Sequence, residues 1–260
     1  IVRPPQRADY SSQEVYEARA REHGYWSSDL KRYGLQVIEV AEYAEIDQLM
    51  SDVEKRVAKR RVWEVGSWPL DAPGSSDQAQ FVHDVSFELG TRLHQEGLTL
   101  VTGFGLVVGS AAISGFIAAT QKAGEWELSR RLVARPFPQP LQGVEPDRTQ
   151  WAALRAEMSR LAGVVVVVGG AKIQDGSIVA AEGVLEELEL AKGAQSAIIP
   201  IGATGGVAAD LTQELLDSSD APGSNFPSKS ALKALSRPGR TAAQIVDDTI
   251  KAIRSISSKS

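Results

Sequence analysis

Two cations and a carboxylate flank one run of five valines. Arg155 stands in "PDRTQWAALRAEMSRLAG" before the run, Lys172 follows its Gly169-Gly170 end, and Glu187 lies further on in "GVLEELELA". Arginine grips phosphate oxygens with a fork of donors, lysine adds a point charge, and glutamate accepts from sugar hydroxyls. Gathered at one strand end, the three would suit a ligand carrying phosphates and ribose. Spacing alone also allows a solvated set of surface charges.

Glycine gives the second signal. The segments Gly66-Ser67-Trp68-Pro69, Gly103-Phe104-Gly105, Arg135-Pro136-Phe137, Gly169-Gly170 and Gly202-Ala203-Thr204-Gly205-Gly206 each follow a strand-like stretch, and four of these five carry glycine. Bare backbone N–H groups at helix starts hold phosphate oxygens. Tight turns and close strand–helix packing call for glycine as well. None of the segments is GxGxxG or GxxxxGK[ST], so neither a standard dinucleotide fingerprint nor a P-loop is supported. In a phosphate-binding reading, Gly103 to Gly105 and Thr204 to Gly206 offer backbone donors, and Trp68, Phe104 or Phe137 covers a ring face.

Other chemistries find little support. The chain has no cysteine, which excludes disulfides and thiolate chemistry, and its three histidines pair with no carboxylate in a metal-ligand pattern. We place His83 and His94 on the exposed or boundary face of one helix. No Gly-x-Ser-x-Gly elbow occurs. The net charge of −5 gives no general attraction to nucleic acid or anionic membranes. No apolar run approaches the roughly 18 residues of a membrane helix, and no secretory signal is visible. A cytoplasmic setting fits these features. The chain begins at Ile1 and not Met, so we expect it to be part of a longer protein.

The elements that must position these residues alternate. From Arg61 onward, strand-like "RVWEVGS", "LTLVT", "RLVARPF", "VVVVVGG" and "SAIIPIG" are separated by amphipathic helical stretches, ending with helices near 228–236 and 240–257. Consecutive valines mark a strand buried on both faces of a parallel sheet, and "SAIIPIG" reads as another central strand. The class is α/β: a Rossmann-like parallel sheet with helices on both faces, whose ligands bind beyond the carboxyl ends of the strands. Basic "FPSKSALKALSRPGR" reads as a solvated connection, or as a flap or dimer contact. Residues 1–60 differ, with polar helices and a short strand "LQVIEV" (35–40). They form a small, mostly helical N-terminal segment, the tail of an upstream domain or a packed linker, before a main domain at 61–260.

From about Val62 to Leu216 the chain resembles the SLOG superfamily, the fold of the cytokinin-activating phosphoribohydrolases and their non-enzymatic relatives. It is most similar to the branch fused to sirtuin-like or TIR domains in bacterial anti-phage systems such as Thoeris. "VGSWP", "LGTRLHQEGLTLVTGFGLVVGSAAISG", "RRLVARPFPQ", "AGVVVVVGGAK", "VAAEGVLEELELAK" and "IPIGATGGVA" carry the likeness. The resemblance implies a module that binds a cyclic ADP-ribose isomer and switches on an attached NAD-consuming domain, sirtuin-like or TIR, in a homodimer or higher homo-oligomer. It puts the ligand-contacting Arg, Lys and Glu on Arg155, Lys172 and Glu187. It implies no cofactor beyond the nucleotide signal.

One departure matters. The catalytic members carry a Pro-Gly-Gly-x-Gly-Thr turn before a catalytic Glu. Here the turn reads "VGGAKIQDGS", with Val168 for the proline, no Gly-Thr and extra length. That argues for binding without hydrolysis, because an acid or base must lie within hydrogen-bond reach of the bond it breaks. The rival implication is a phosphoribohydrolase acting on nucleoside 5′-monophosphates, with Glu186 or Glu187 catalytic.

Overall fold

The computed structural model describes residues 1–35, 37–40, 44–70, 76–125, 128–138 and 147–257. The chain divides into two units, Ile1–Arg56 and Val57–Ser260. In the first, α1 spans Gln13–Arg32, and the Ser12 side chain caps it by accepting from the Val15 N–H at 3.2 Å. α2 (Glu45–Lys59) begins there and runs across the boundary. The expected strand at 35–40 is absent among the described residues. Only a single parallel bridge pairs Val2 with Glu39, and Gln36 lies outside the described residues.

The second unit opens with β1 (Arg61–Ser67), α3 (Ser76–Gln95), β2 (Thr99–Thr102), α4 (Val108–Lys122) and β3 (Leu132–Ala134). β3 stops short of the expected 131–137. Pro136 has no donor and biases the residue before it, so pairing ends ahead of it. Then come α5 (Arg148–Leu161), β4 (Val164–Gly169), β5 (Ala171–Gln174), β6 (Ser177–Ala180) and α6 (Glu182–Gly193). β7 (Ala197–Ile201), α7 (Gly206–Asp217), α8 (Lys229–Leu235) and α9 (Ala242–Ser257) complete it. Asp147 caps α5, as the sequence suggests, while Pro146 lies outside the described residues.

Five strands form one parallel sheet in the order β3-β2-β1-β4-β7. The α/β class expected from the sequence is borne out. The chain steps outward from β1 to β3, then returns to lay β4 on the other side of β1. Such a reversal opens a crevice at the carboxyl ends of the strands. Every residue of β4 is buried, and each buried valine contributes about 1.5–3 kcal/mol. β7 is an edge strand and not a central one. Its Pro200 stands opposite Val167, and an edge tolerates the missing donor.

Side chains of alternate strand residues face two helix layers. Val62, Leu100, Val166 and Ile199 pack with α3, α4, α8 and α9, while Trp63, Val101, Val165 and Ile198 pack with α5, α6 and α7. The stretch 226–240 is not merely a solvated connection, because α8 within it buries Leu232 and Leu235 completely. The residues after β4, read as a long turn, form an antiparallel hairpin, β5 and β6, joined at Asp175-Gly176. No helix of the described residues is long and apolar enough to cross a membrane.

Candidate functional site

At the carboxyl ends of β1 and β2 a cavity of about 270 Å³ opens between the two helix layers. Gly66 and Ser67 from β1, Gly103 and Gly105 after β2, and Val108 and Gly109 of α4 line one side. Phe137 after β3, Trp151 and Arg155 of α5, and Gly183 and Glu187 of α6 line the other. Of the residues singled out from the sequence, Gly66, Ser67, Gly103, Gly105, Phe137, Arg155 and Glu187 meet here.

Arg155 is the hub of the second wall. It is 12% exposed, donates to Glu186 at 2.6 Å, and its Nε lies 3.6 Å from Glu187 Oε1, an ion-pair distance longer than a hydrogen bond. Its guanidinium also lies 5.1 Å above the Phe137 ring and 5.9 Å from that of Trp151. The arginine comes this near α6 because residue 183 has no side chain: a Cβ there would stand 2.7 Å from Nη2. Trp151 holds the exit of β3 in place, since its indole N–H donates to the Pro138 carbonyl at 3.0 Å. Phe137 sits edge-on to Trp151 at 5.7 Å and covers Gly103, where a Cβ would overlap the ring.

Glu187 is 7% exposed. Burial pushes its carboxyl up to about 7, Arg155 pulls it back, and Glu186 adds a smaller push upward. The group therefore holds its proton closer to neutral pH than an exposed glutamate does, and can accept or donate.

Trp68, Phe104, Arg135, Gly169, Gly170, Lys172, Thr204 and Gly205 do not line it. Phe104 is 51% exposed at the turn and adopts a left-handed φ of 60°, a costly conformation for a bulky residue. Arg135 pairs with Glu157 at 2.9 Å. Lys172, on the hairpin, is 3.1 Å from Glu182. Thr204 is fully buried, and its hydroxyl accepts from the Gly169 N–H at 2.8 Å and donates to the Ile201 carbonyl at 2.6 Å. Gly170 donates to the Ser67 carbonyl at 2.8 Å, and Gly205 packs against the Trp68 ring. Gly169, Gly170, Thr204 and Gly205 thus tie the ends of β1, β4 and β7 together.

Sequence reasoning missed Glu64, Thr102, Trp151 and Gly183 in the lining. Glu64 was legible in principle: the alternation of β1 puts it on the buried face with Val62. His94 is also corrected. It is buried, not at an exposed face, lying 3.2 Å from Glu125 and edge-on to Phe116. A larger hollow of about 660 Å³ lies beside it between α3 and α4, lined by Phe87, Ala119 and Lys122 among others. That hollow is lined by Gly97 of the turn that leads into β2 and not by the glycines at the carboxyl ends of the strands. Among the described residues no three His, Asp or Glu side chains cluster to hold a metal.

Comparison with known proteins gives the family of the chain. The model of STALD, the Sir2- and TIR-associating SLOG family, matches residues 45–256. The NAD(+) hydrolase ThsA of Bacillus cereus (strain MSX-D12) is 27% identical over 260 residues, covering 99% of this chain and 53% of that protein. ThsA of Enterococcus faecium is 27% identical over 252 residues, covering 95% and 50%. ThsA of Cytobacillus dafuensis is 30% identical over 210 residues, covering 80% and 41%. The chain spans about half the length of the curated relatives it matches. Among solved structures, the X-ray structure of TM1055, a structural-genomics target, is 20% identical with a TM-score of 0.47, covering 75% of this chain and 98% of that one. The sheet order, the glycine-rich strand ends and the family match lead to one statement: the chain belongs to the Sir2- and TIR-associating SLOG family.

Proposed function

We propose that this chain is a regulatory domain that binds a cyclic ADP-ribose isomer and, in the longer protein, controls an attached NAD-consuming domain in anti-phage defence. The observation that carries this reading is the cavity wall in which partly buried Arg155 faces Glu187 across from glycine-lined strand ends. Arg155 meets phosphate or a ring face, Glu187 accepts from ribose hydroxyls, and the turn at 103–105 brings backbone N–H groups close. The relatives are named NAD(+) hydrolases and are about twice as long, which leaves room for the attached domain. At about 270 Å³ the cavity lies at the small end of ligand sites, roughly 300–1,000 Å³. It suits a phosphoribosyl part of the ligand. The remainder then extends past the rim, where Phe104, Arg135 and Lys172 stand on the same edge. A homodimer that covers this rim would let the ligand favour one arrangement, by its differential affinity for the two states.

A thermal-shift series tests the reading. A ligand at 100 times its Kd adds about 2.7 kcal/mol, or about 5–10 °C in Tm for a domain of this size. We expect such a shift with a cyclic ADP-ribose isomer and none with glucose. No shift with any ADP-ribose compound would contradict it.

One observation favours a second reading, phosphoribohydrolase activity on nucleoside 5′-monophosphates. Glu187 is buried with a carboxyl raised to about 7, the poise of a general acid or base. Incubation with AMP separates the two: release of adenine favours hydrolysis, and intact AMP favours sensing.

A further inference from the structure

Glu64 is the charged residue of β1 that points into the core, and it is 2% exposed. Neither carboxyl oxygen has a hydrogen-bond partner. The side chain lines the inner end of the cavity, with Gly66, Thr102, Gly105, Val108 and Gly109 around it. A buried carboxyl left without a partner is costly to keep. Its surroundings offer a reason.

The first turn of α4 faces the same space. The N–H groups of Ser110 and Ala111 donate to the carbonyls of Gly105 and Val107 at 2.9 and 3.3 Å. Those of Val108 and Gly109 have no carbonyl a turn back within the helix, as at any helix start. The 15-residue helix thus directs two unmet donors and its positive end at the pocket floor. An anion there would lie beside the Glu64 carboxyl, which an ionised glutamate would repel and an undissociated one would bind. Burial pushes the Glu64 carboxyl well above the usual carboxylate range, opposed by the nearby Ser86 hydroxyl, which forms no hydrogen bond of standard geometry with it. The groups facing it are uncharged: Ser86 of α3, Val108 of α4, and its strand partners Thr102 and Val166. Arg155 and Glu187 stand on the opposite wall.

We propose that Glu64 donates a hydrogen bond, as a neutral carboxylic acid, to a phosphate oxygen seated between its carboxyl and the first turn of α4. The proposal rests on the nucleotide-binding reading above and names the atom that meets the phosphate. It makes Glu64 a specificity residue: it favours a ligand with a phosphate over one whose inner end is only a sugar.

Calorimetry on the full chain from about pH 5.5 to 8.5 tests this, with a cyclic ADP-ribose isomer and ADP-ribose as pyrophosphate probes and AMP as the monoester. Pyrophosphate charge is constant over that range, so a pH effect reports on the protein. The wild type should lose affinity as pH rises through the raised pKa of Glu64, by up to about tenfold per unit. Glu64→Gln keeps a neutral donor and should retain the low-pH affinity with a shallower fall, the part that is left being that of Glu187, whose carboxyl also titrates in this range. Ser86→Ala removes the opposing hydroxyl and should move the fall to higher pH, which keeps the test alive if Glu64→Gln does not fold. Superimposable pH profiles for wild type and Glu64→Gln, with binding intact, overturn the role of Glu64 and leave the nucleotide reading standing. Absence of binding by the wild type to all three probes at every pH overturns both.

Discussion

Glu187 and Arg155 make a pair whose protonation affects both stability and binding. An unfolded Glu187 releases its proton near the ordinary glutamate value of 4.5, whereas burial holds the proton of the folded one up to about 7. Between those values the native state holds one more proton than the unfolded chain. Stability from this group therefore falls as pH rises through that window, by about 3 kcal/mol in all. Glu187→Gln should flatten this part of the stability profile and raise Tm at about pH 8. Urea titrations at several pH values check it, and a variant with the wild-type slope would contradict the assignment. Gly183→Ala makes a narrower test. Its Cβ meets the far end of a flexible arginine, so we expect a stability change within about 1 kcal/mol but nucleotide binding weaker by about tenfold, because Arg155 must move. At this scale the sequence was half legible. Arg155 and Glu187 stood out by charge and by family resemblance. Gly183 did not, because nothing in "AAEG" shows that a guanidinium from another helix needs the space.

The strands and helices were easier to read than their edges. The five valines of β4 and the periodic helices lie where hydrophobic patterning puts them, because burial on both faces admits little else. The hairpin was missed although its signal is present: Asp175-Gly176 between two short alternating runs takes positive φ at both residues, 51° and 77°. Pro200 likewise marked β7 as an edge. "LQVIEV" has the composition of a strand, but propensity alone does not supply a partner, and only one bridge forms. The packing of α3 on α4 fixes the wall that carries Gly105 and Gly109. It depends on Gly115, where a Cβ would overlap the Phe87 carbonyl. Gly115→Ala should therefore cost about 1–3 kcal/mol and lower Tm by several degrees, as overpacking does. Calorimetric melting measures it, and an unchanged Tm would show that the helices can separate without penalty.

At the scale of the whole chain, patterning carries the fold further than it carries the ligand. Fold and family follow from pattern and turn chemistry spread over some 200 residues. A ligand is specified by a few side chains whose convergence only the folded chain shows. If the ligand reaches beyond the cavity, Lys172→Ala should weaken a cyclic ADP-ribose isomer several-fold while leaving AMP unchanged, since Lys172 is a half-exposed cation outside the lining. Equal losses for both would place Lys172 against the part of the ligand they share.

The most direct measurement is an isothermal titration of the chain with a cyclic ADP-ribose isomer, wild type beside Arg155→Ala. Loss of a partly buried charge-assisted contact should weaken binding by about 10- to 150-fold in the variant. Equal affinity in the two proteins, or heat absent from the wild type, would contradict the claim that Arg155 and Glu187 frame a nucleotide site.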